Sequence, residues 1–477
     1  MTLKEKTLKG LKWSGLAQFG RQMSQFVITA ILARLLSPDD FGLLGMATVF
    51  TGFMMIFSEM GVSSALIQKQ DIDDDHLSSA FWLNVIVGVV LTLLLVAVSP
   101  LIALFYNQPA LKPIIAVMSV GFIFASFSVI QLTILQREMD FKVIAKAELV
   151  SILIAGAVGI VMAFRGFGVW SLVGQFLTLH LFRSIVFWVL SSWRPQLKFS
   201  MKSIRDFIKF SAHMTGFNII NYLNRNIDYL LIGKFLGAEA LGFYTLAYKI
   251  MLYPLQNISW VISKVLFPAF SMMQKDLERL RRSYLKVVKA VSLVTFPMMT
   301  VLLFSAEEVI IVIFGEQWAP VIPLIRIFCL CGAVQSINTL IGNIILSQGK
   351  SGLQLRLGLL GFFAFSLAII IGLKWGITGV AVCYTIIYTL WSIFAQNLTN
   401  RLIGLKNLEF IRSFSKAVIS AAAIGIFLWV LSASIQVSLL IRIVIFLSAS
   451  LCIYIALLFL YREIRFADGK LIISLKE

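Results

Sequence analysis

Residues 221–236, NYLNRNIDYLLIGKFL, decide how this chain folds. The second half of the stretch is apolar enough for a bilayer, whereas the first half carries the polar and charged side chains of Asn221, Asn224, Arg225, Asn226 and Asp228. A charged side chain that faces lipid near the bilayer centre costs at least about 2.5–3.5 kcal/mol. If the stretch is a membrane helix, its polar side must therefore face protein or a watery cavity.

The composition of the whole chain is that of an integral membrane protein. Hydrophobic residues make up 59% of the 477 residues, charged residues make up 13%, and the mean hydropathy is +0.92. Soluble domains contain about 25% charged residues. Apolar runs near or above the roughly 20 residues that span a bilayer recur along the chain. They predict about fourteen transmembrane helices, at 13–35, 41–61, 80–105, 113–135, 146–164, 169–191, 207–235, 240–268, 287–304, 320–346, 355–374, 377–400, 415–433 and 439–461.

The net charge of +18 does not indicate a nucleic-acid partner, because the basic residues fall in alternate loops, as the positive-inside rule requires. They precede helix one and follow helices four, six, eight, twelve and fourteen, whereas loops such as SPDD, GAEA and SAEEV are poor in Lys and Arg. Both termini are therefore predicted to be cytoplasmic. The N-terminal segment is expected to remain as helix one rather than to be a removable signal peptide. Residues 271–289, SMMQKDLERLRRSYLKVVK, are expected to join helices eight and nine along the cytoplasmic face.

The sequence contains no recognisable catalytic, metal-binding or phosphate-loop motif. The four cysteines lie in predicted helices without metal-ligand spacing and are interpreted as small buried hydrophobes. Of the three scattered histidines, His180 in helix six could join a proton relay, with packing as the alternative. No connection is long enough for a separate soluble domain. We therefore expect neither an enzyme nor a metal or cofactor site.

An internal repeat organises the chain. ARLLSPDDFGLLGMA from Ala33 aligns without a gap with GKFLGAEALGFYTLA from Gly233, at an offset of 200 residues. Weaker echoes follow in the same order: LFYNQPA from Leu104 with IFGEQWA from Ile313, and RGFGVWS from Arg165 with KWGITGVA from Lys374. The chain is therefore predicted to be a duplicated unit.

The repeat divides the predicted helices into two pseudo-symmetric six-helix lobes, 1–200 and 201–405, followed by 406–477, which holds an additional helix pair and a cytoplasmic tail. An even number of helices in each unit gives both lobes the same orientation, related by an axis along the membrane normal. Two similar lobes that face one another are typical of alternating-access transporters.

The repeat also places a polar stripe at the same position in both lobes. Spacings of three and four residues put each stripe on one helical face, with Gln18, Arg21 and Gln25 of helix one matching Asn218, Asn221 and Arg225 of helix seven. Further cations are expected within the membrane at Lys249, Lys264, Arg326 and Arg183, and the main anions are Asp228, Glu59 and Glu148.

A cavity lined by these stripes would be net positive and would attract phosphate or carboxylate groups, because a low dielectric strengthens the attraction. The alternative is that Arg225 and Asp228, three residues apart on one turn, only neutralise each other. That alternative leaves Arg21 and Lys249 unexplained.

Two stretches carry a resemblance to a known family: ILARLLSPDDFGLLGMATVF at 31–50 and NRNIDYLLIGKFLGAEALGFYTLAYKI at 224–250. With the helix count and the repeat, they resemble the polysaccharide exporters of the multidrug/oligosaccharidyl-lipid/polysaccharide superfamily, most closely the Wzx-type flippases that export colanic acid and teichuronic acid. The resemblance covers essentially the whole chain. It implies a V-shaped all-α transporter that acts as a monomer in the bacterial inner membrane. It also implies an undecaprenyl-diphosphate-linked oligosaccharide as substrate, moved to the outer leaflet for extracellular polysaccharide synthesis, and a polysaccharide polymerase with chain-length machinery as partners besides membrane lipids.

The resemblance further implies which residues hold the substrate. Such relatives place cavity arginines and lysines in helices one, two, seven and eight, and the matching residues here are Arg21, Arg225, Lys249 and Lys264. Helix two departs from this pattern, because Glu59 is its only clear charge. Hydrogen bonds to phosphate or sugar are expected from Asn221, Asn224 and Gln25.

Asp228 or Glu59 could bind a driving proton or sodium ion, since an acid in a partly dry site can titrate near neutral pH. The alternative is a fixed ion pair or gate contact.

Three other protein classes are alternatives to the flippase. An ion-coupled multidrug exporter would favour an acid where Arg21 stands, a membrane glycan polymerase or ligase would need a sizeable outer loop, and a scaffold would not transport at all.

Overall fold

The computed structural model of the protein describes residues 3–59, 63, 66, 72–434, 437–461, 464–467 and 470–473. Side chains are described at 15, 18–58, 63, 66, 72–201, 219, 221–256, 258, 266–434 and 437–461. The helices are α1 (Leu3–Leu35), α2 (Pro38–Glu59), α3 (Asp74–Tyr106), α4 (Leu111–Arg137), α5 (Phe141–Phe164), α6 (Val169–Leu190), α7 (Met201–Asn257), α8 (Ser259–Met272), α9 (Leu277–Phe304), α10 (Val321–Asn338), α11 (Ile341–Ser347), α12 (Ser351–Gly372), α13 (Gly376–Ile403), α14 (Asn407–Ser434) and α15 (Leu439–Leu460). Between α9 and α10 the chain forms a single α-turn, Ala306–Val309, a π-turn, Ile310–Phe314, and a 3-10 turn, Glu316–Trp318.

Eleven stretches of the described chain are long and apolar enough to cross a membrane. Two of them contain a break: α7 bends at Gly237, and the stretch Ser351–Ile403 is divided between α12 and α13. When these halves are counted separately and α1 is added, the segments correspond to the fourteen predicted helices. The predicted all-α polytopic membrane fold is confirmed, with fourteen as an approximate count.

The C-terminal tail adds a feature to the predicted fold. Strands β1 (Ile464–Ala467) and β2 (Lys470–Ile473) pair antiparallel, with Ile464 opposite Ile473 and Ala467 opposite Lys470. A strand of four residues is too short to carry a reliable hydrophobic period, so the sequence pattern gave no indication of this hairpin.

The chain forms two compact units, Met1–Thr245 and Leu246–Glu477. The predicted lobe boundary lies earlier, at residue 200. The contacts of α7 account for the difference, because described residues between Tyr222 and Thr245 contact α2 within the first unit. The assignment of 1–200 and 201–405 as lobes, with 406–477 as a terminal part, stays a prediction.

Helices of the first unit approach closely where one of them carries a small residue. A Cβ added to Gly156 of α5 would lie 2.3 Å from Ile28 Cδ1 of α1, and one added to Gly88 of α3 would lie 2.9 Å from the Phe122 carbonyl oxygen of α4. Lipid tails are as apolar as side chains, so close packing rather than the hydrophobic effect holds membrane helices together. This packing brings α1 against α5, and both helices carry charged residues of the candidate site.

In the second unit, Phe270, Leu280, Tyr284 and Phe410 belong to a buried cluster built from α8, α9, α10, α11, α13 and α14. The predicted cytoplasmic connection at 271–289 is helical over most of its length, because α9 already begins at Leu277, and its cytoplasmic location stays a prediction. Asp276 caps this helix by accepting a hydrogen bond from the Arg279 N–H at 3.0 Å. Leu280, Tyr284 and Val288, four residues apart, bury one face of α9 and continue it into the span.

The repeated sequences form two equivalent changes of chain direction. After α1, the Ser37 backbone N–H and hydroxyl donate to Asp40 Oδ2 at 2.9 and 2.8 Å, and this cap starts α2. Two hundred residues later, Gly237 adopts φ +89° and ψ −178°, a conformation that favours glycine, and bends α7. The weaker echoes also contain turn residues with positive φ: Asn107, Gly166, Gly168, Gly315 and Gly376.

Candidate functional site

Three helices of the first unit hold a carboxylate between two arginines. Arg21 of α1 donates through Nη1 to Glu148 Oε2 of α5 and through Nη2 to Gln18 Oε1, one turn earlier. Arg183 of α6 places Nη2 3.7 Å from Glu148 Oε1, and its guanidinium lies 5.8 Å from the centroid of the Phe187 ring. We call Arg21, Glu148 and Arg183 the arginine cluster.

The arginine cluster is only partly buried and is not electrically neutral. The side chains of Arg21, Glu148 and Arg183 are 29%, 17% and 32% exposed. Two guanidinium groups and one carboxylate leave a charge of about +1, and the buried Arg183 Nε has no hydrogen-bond partner among the described residues. Guanidinium groups bind carboxylates and phosphates through paired N–H donors. The cluster therefore has unused capacity for an anion.

Sequence patterns identified the members of this cluster but not their contact. The sequence predicts Arg21 as a substrate ligand, whereas it marks Glu148 and Arg183 only as charges within the membrane. The three residues lie on separate helices and share no spacing or repeat position. The only signal available was the rarity of ionisable residues within membrane spans, which usually have partners.

The predicted polar stripe of α7 has an exposed side. Asn221 and Arg225, one turn apart, are exposed, whereas Asn224 is partly buried. Gln25 on α1 is exposed as well. The stripe is held on α2 by Tyr222, whose hydroxyl lies 2.8 Å from the Val49 carbonyl oxygen and donates to it. An exposed arginine beside an exposed amide on a fixed helix can contact a charged group and a hydroxyl at the same time.

Asp228 lies on the buried side of the same helix. Its side chain accepts hydrogen bonds from the Tyr229 N–H at 2.9 Å and from the Tyr244 hydroxyl at 3.0 Å, and the residue is 4% exposed. No ion pair joins Arg225 to Asp228 in the part of the chain whose side chains the structure describes. The Tyr244 bond instead ties together the two halves of α7 across the bend at Gly237.

The other predicted site residues are placed with less detail. Lys249 is partly buried on α7 and belongs to the second unit. Lys264 lies on α8 and Glu59 ends α2, but both side chains are outside the described residues. The His180 ring packs edge-to-face against Phe176 with centroids 4.6 Å apart, which favours the packing role over a proton relay. The substrate and ion roles assigned to these residues stay predictions.

The second unit contains a separate cavity of about 720 Å³ between α9, α10, α13 and α14. No charged residue lines it; its walls are largely apolar, with several amides and hydroxyls. At one end Tyr284 donates to Gln396 at 3.0 Å, Gln396 donates to Asn400 at 2.7 Å, and Asn400 donates to Asn407 at 2.9 Å. None of the residues predicted from the sequence as substrate or ion ligands lines this cavity.

Residues 31–323 match the family described as polysaccharide biosynthesis protein. The chain belongs to this family. The lipopolysaccharide biosynthesis protein WzxC of Escherichia coli (strain K12) is 30% identical to it over 375 residues, which cover 78% of this chain and 76% of WzxC. The teichuronic acid biosynthesis protein TuaB of Bacillus subtilis (strain 168) is 28% identical over 445 residues, which cover 91% of each chain.

The fold of this polysaccharide biosynthesis protein is also found among solved structures. The lipid II flippase MurJ, in an inward closed conformation, matches it with a TM-score of 0.75 and 16% sequence identity, over 94% of this chain and 98% of MurJ. At that identity the likeness concerns the fold. The resemblance to polysaccharide exporters predicted from the two quoted stretches is confirmed, and the protein is a multi-span membrane protein.

Proposed function

We propose that the protein is a flippase that moves an undecaprenyl-diphosphate-linked oligosaccharide from the cytoplasmic to the outer leaflet of a bacterial inner membrane. The family match over residues 31–323 carries this proposal. Relatives named for lipopolysaccharide and teichuronic acid biosynthesis support a polysaccharide as the product. The fold of a lipid II flippase supports a lipid-linked saccharide as the cargo. The protein is accordingly a transporter and not an enzyme.

In this proposal, the diphosphate is held by cations and the sugar by neutral polar groups. Arg21, Arg225, Lys249 and Lys264 attract the diphosphate, arginine as a forked donor and lysine as a point charge. Hydrogen bonds to phosphate or sugar come from Asn221, Asn224 and Gln25. The exposed neighbours Asn221 and Arg225 support this division of tasks. The polyprenyl chain remains in lipid while the head group crosses by alternating access.

Energy for the cycle is proposed to come from a proton or sodium gradient, with Asp228 and Glu59 as the acids that bind the driving ion. Asp228 supports this assignment because it is an almost fully buried acid whose hydrogen-bond donors in the described structure are uncharged. The protein would act as a monomer and pass its product to a polysaccharide polymerase and its chain-length machinery.

Deletion of the gene in its host tests the proposed function. Surface polysaccharide should disappear, and the lipid-linked oligosaccharide should accumulate in the cytoplasmic leaflet. A plasmid copy should restore both. Normal surface polymer in the deletion strain, with no accumulated intermediate, would contradict the proposal.

The proposed topology, with both termini cytoplasmic, can be tested by labelling single cysteines from outside the cell. The exposed residues Asn107 and Gln317 should label as cysteines, and the exposed residues Lys198 and Arg279 should label only after permeabilisation. The exposed Cys452 should first be replaced by serine. Insertions into SPDD or SAEEV are less suitable, because Ser37 and Asp40 form a helix cap and Glu308 is buried. The opposite labelling pattern would overturn the topology.

A further inference from the structure

The Glu148 carboxylate lies beside the two arginines that an anionic head group would need to bind. It meets Arg21 through one carboxylate oxygen and faces Arg183 with the other. The two contacts differ in quality: Arg21 makes a direct hydrogen bond, whereas 3.7 Å between Arg183 Nη2 and Glu148 Oε1 is too long for one. A carboxylate that served only to fix the helices would be expected to satisfy both arginines.

The unused donors of Arg183 point to a second anion. Its Nε is buried without a hydrogen-bond partner among the described residues, although a buried cationic donor normally has one. The side chain is nevertheless 32% exposed, so an incoming group can reach part of it. The cluster also keeps a charge of about +1 after Glu148 is counted. Geometry and charge together leave donors of Arg183 available to an anion.

We propose that Glu148 is a displaceable counter-ion for the diphosphate of the substrate. The head group first binds at Arg183, and its phosphate oxygens then replace the Glu148 carboxylate on Arg21. When the head group leaves, Glu148 returns to its hydrogen bond with Arg21. Glu148 is thus a positioning residue: it keeps the guanidinium groups in place and limits the affinity so that release stays fast. This inference rests on the proposed function and adds a residue that controls binding and release.

Exchange of one anion for another is physically easier than removal of the first. An arginine stripped of its partner in a low-dielectric site keeps an uncompensated charge, which is strongly unfavourable. A diphosphate supplies more charge and more acceptor oxygens than a carboxylate, so it can take over both guanidinium groups. Partial exposure of all three side chains gives the incoming group access.

The test measures binding of inorganic pyrophosphate by the full-length protein in lipid nanodiscs, by titration calorimetry at low ionic strength. Glu148→Gln removes the competing charge and should tighten binding about fivefold to tenfold, where tenfold corresponds to roughly 1.4 kcal/mol. Glu239→Gln is the matched control, because Glu239 is an exposed glutamate on α7 of the same unit. This control should leave the affinity close to that of the wild type.

Two further variants separate competition from a general change in charge. Combining Glu148→Gln with Arg183→Gln should abolish most of the gain in affinity, since the gain depends on the freed arginines. Glu148→Asp keeps the charge on a shorter side chain and should give a smaller gain than Glu148→Gln. If Glu148→Gln lowers the melting temperature of the protein, Glu148→Asp is the variant that tests the inference in its place. Pyrophosphate affinity in Glu148→Gln no higher than in Glu239→Gln would overturn the inference.

Export measurements keep this inference separate from the proposed function. If the wild-type gene fails to restore polysaccharide export in the deletion strain, the proposed function fails. If the wild type exports but Glu148→Gln binds pyrophosphate no more tightly, only the counter-ion role fails. The inference also predicts that Glu148→Gln exports several-fold more slowly than wild type, because a tighter complex releases its cargo more slowly.

Discussion

Gly42 and Gly242, which occupy the same position in the two repeats, lie against each other in the contact between α2 and α7. A Cβ added to Gly242 would lie 2.0 Å from the Pro38 carbonyl oxygen and 3.3 Å from the Gly42 nitrogen. A Cβ added to Gly42 would lie 1.7 Å from the carbonyl oxygen of Ala238, which corresponds to Pro38 in the repeat. The contact is therefore reciprocal, as at a two-fold axis.

Substitution of either glycine should destabilise the protein. Gly242→Ala would force the backbones of α2 and α7 apart, and overpacking of this kind costs about 1–3 kcal/mol. Thermal unfolding of the purified protein in detergent should show a clearly lower melting temperature. Gly20→Ala in α1 is the control, because nothing lies within 4 Å of its added Cβ. If Gly242→Ala and Gly20→Ala have the same melting temperature, the stability of the protein does not depend on the close approach of α2 and α7.

Substitutions at Arg225 should affect export in a graded way. Lysine keeps the charge but loses the forked donor, so Arg225→Lys should impair export less than Arg225→Ala. Arg225→Glu should abolish export, because it repels the diphosphate. Surface polymer and accumulated lipid-linked oligosaccharide are the measurements, at matched membrane levels of protein.

Arg165→Ala is the control for this series, because Arg165 is an exposed arginine just beyond α5 and outside the arginine cluster. It should export normally. If Arg21→Ala, Arg225→Ala and Lys249→Ala proteins also all export at the wild-type rate, a cationic binding site for the substrate is ruled out.

Asp228→Asn separates the charge of Asp228 from its hydrogen bonds. The amide oxygen can still accept from the Tyr229 N–H, and the amide NH2 can donate to the Tyr244 hydroxyl oxygen, so the melting temperature should stay near that of the wild type. Tyr244→Phe removes one donor to the carboxylate and should cost about 1.5–3 kcal/mol. In vesicles, transport by Asp228→Asn should lose its dependence on the ion gradient. Unchanged dependence in both Asp228→Asn and Glu59→Gln would exclude these acids from coupling.

A buried ion pair holds the last membrane helix to the second unit. Arg442 Nε of α15 lies 2.8 Å from Glu308 Oε1, and the Glu308 side chain is fully buried. Arg442→Ala leaves that carboxylate uncompensated and should destabilise the protein by about 3–5 kcal/mol. The double variant Glu308→Leu with Arg442→Leu should recover most of the loss. A double variant that melts as early as Arg442→Ala would show that packing of α15, not the charge pair, had been disturbed.

The fold could be predicted largely from the sequence, because length and hydropathy determine which segments span a bilayer. The repeat also marked the turns correctly, since positions such as Gly237 and Gly315 need backbone conformations that few residues adopt. The sequence is harder to interpret where a helix is amphipathic. Residues 277–289 are polar on one face, which favours a surface connection, but they form the start of α9, and Leu280 and Tyr284 on the other face are buried.

The sequence predicts which residues belong to the candidate site better than it predicts which of them are in contact. The polar stripes on α1 and α7 follow from helical spacing, and Arg225 is indeed exposed. The pairing of Arg21 with Glu148 joins residues 127 positions apart, and no local pattern encodes such a distance. The same holds for Glu308, which the sequence places in an outer loop, whereas the structure pairs it with Arg442 on α15.

The reciprocal contact of Gly42 and Gly242 has a consequence for the origin of the chain. Each repeat carries both halves of the contact, a glycine and, four residues before it, the carbonyl that receives the other glycine. A surface of this kind is self-complementary, as in an isologous homodimer. A single unduplicated unit would therefore already have possessed a face on which two copies could associate, and gene fusion needed only to join copies that already fitted together.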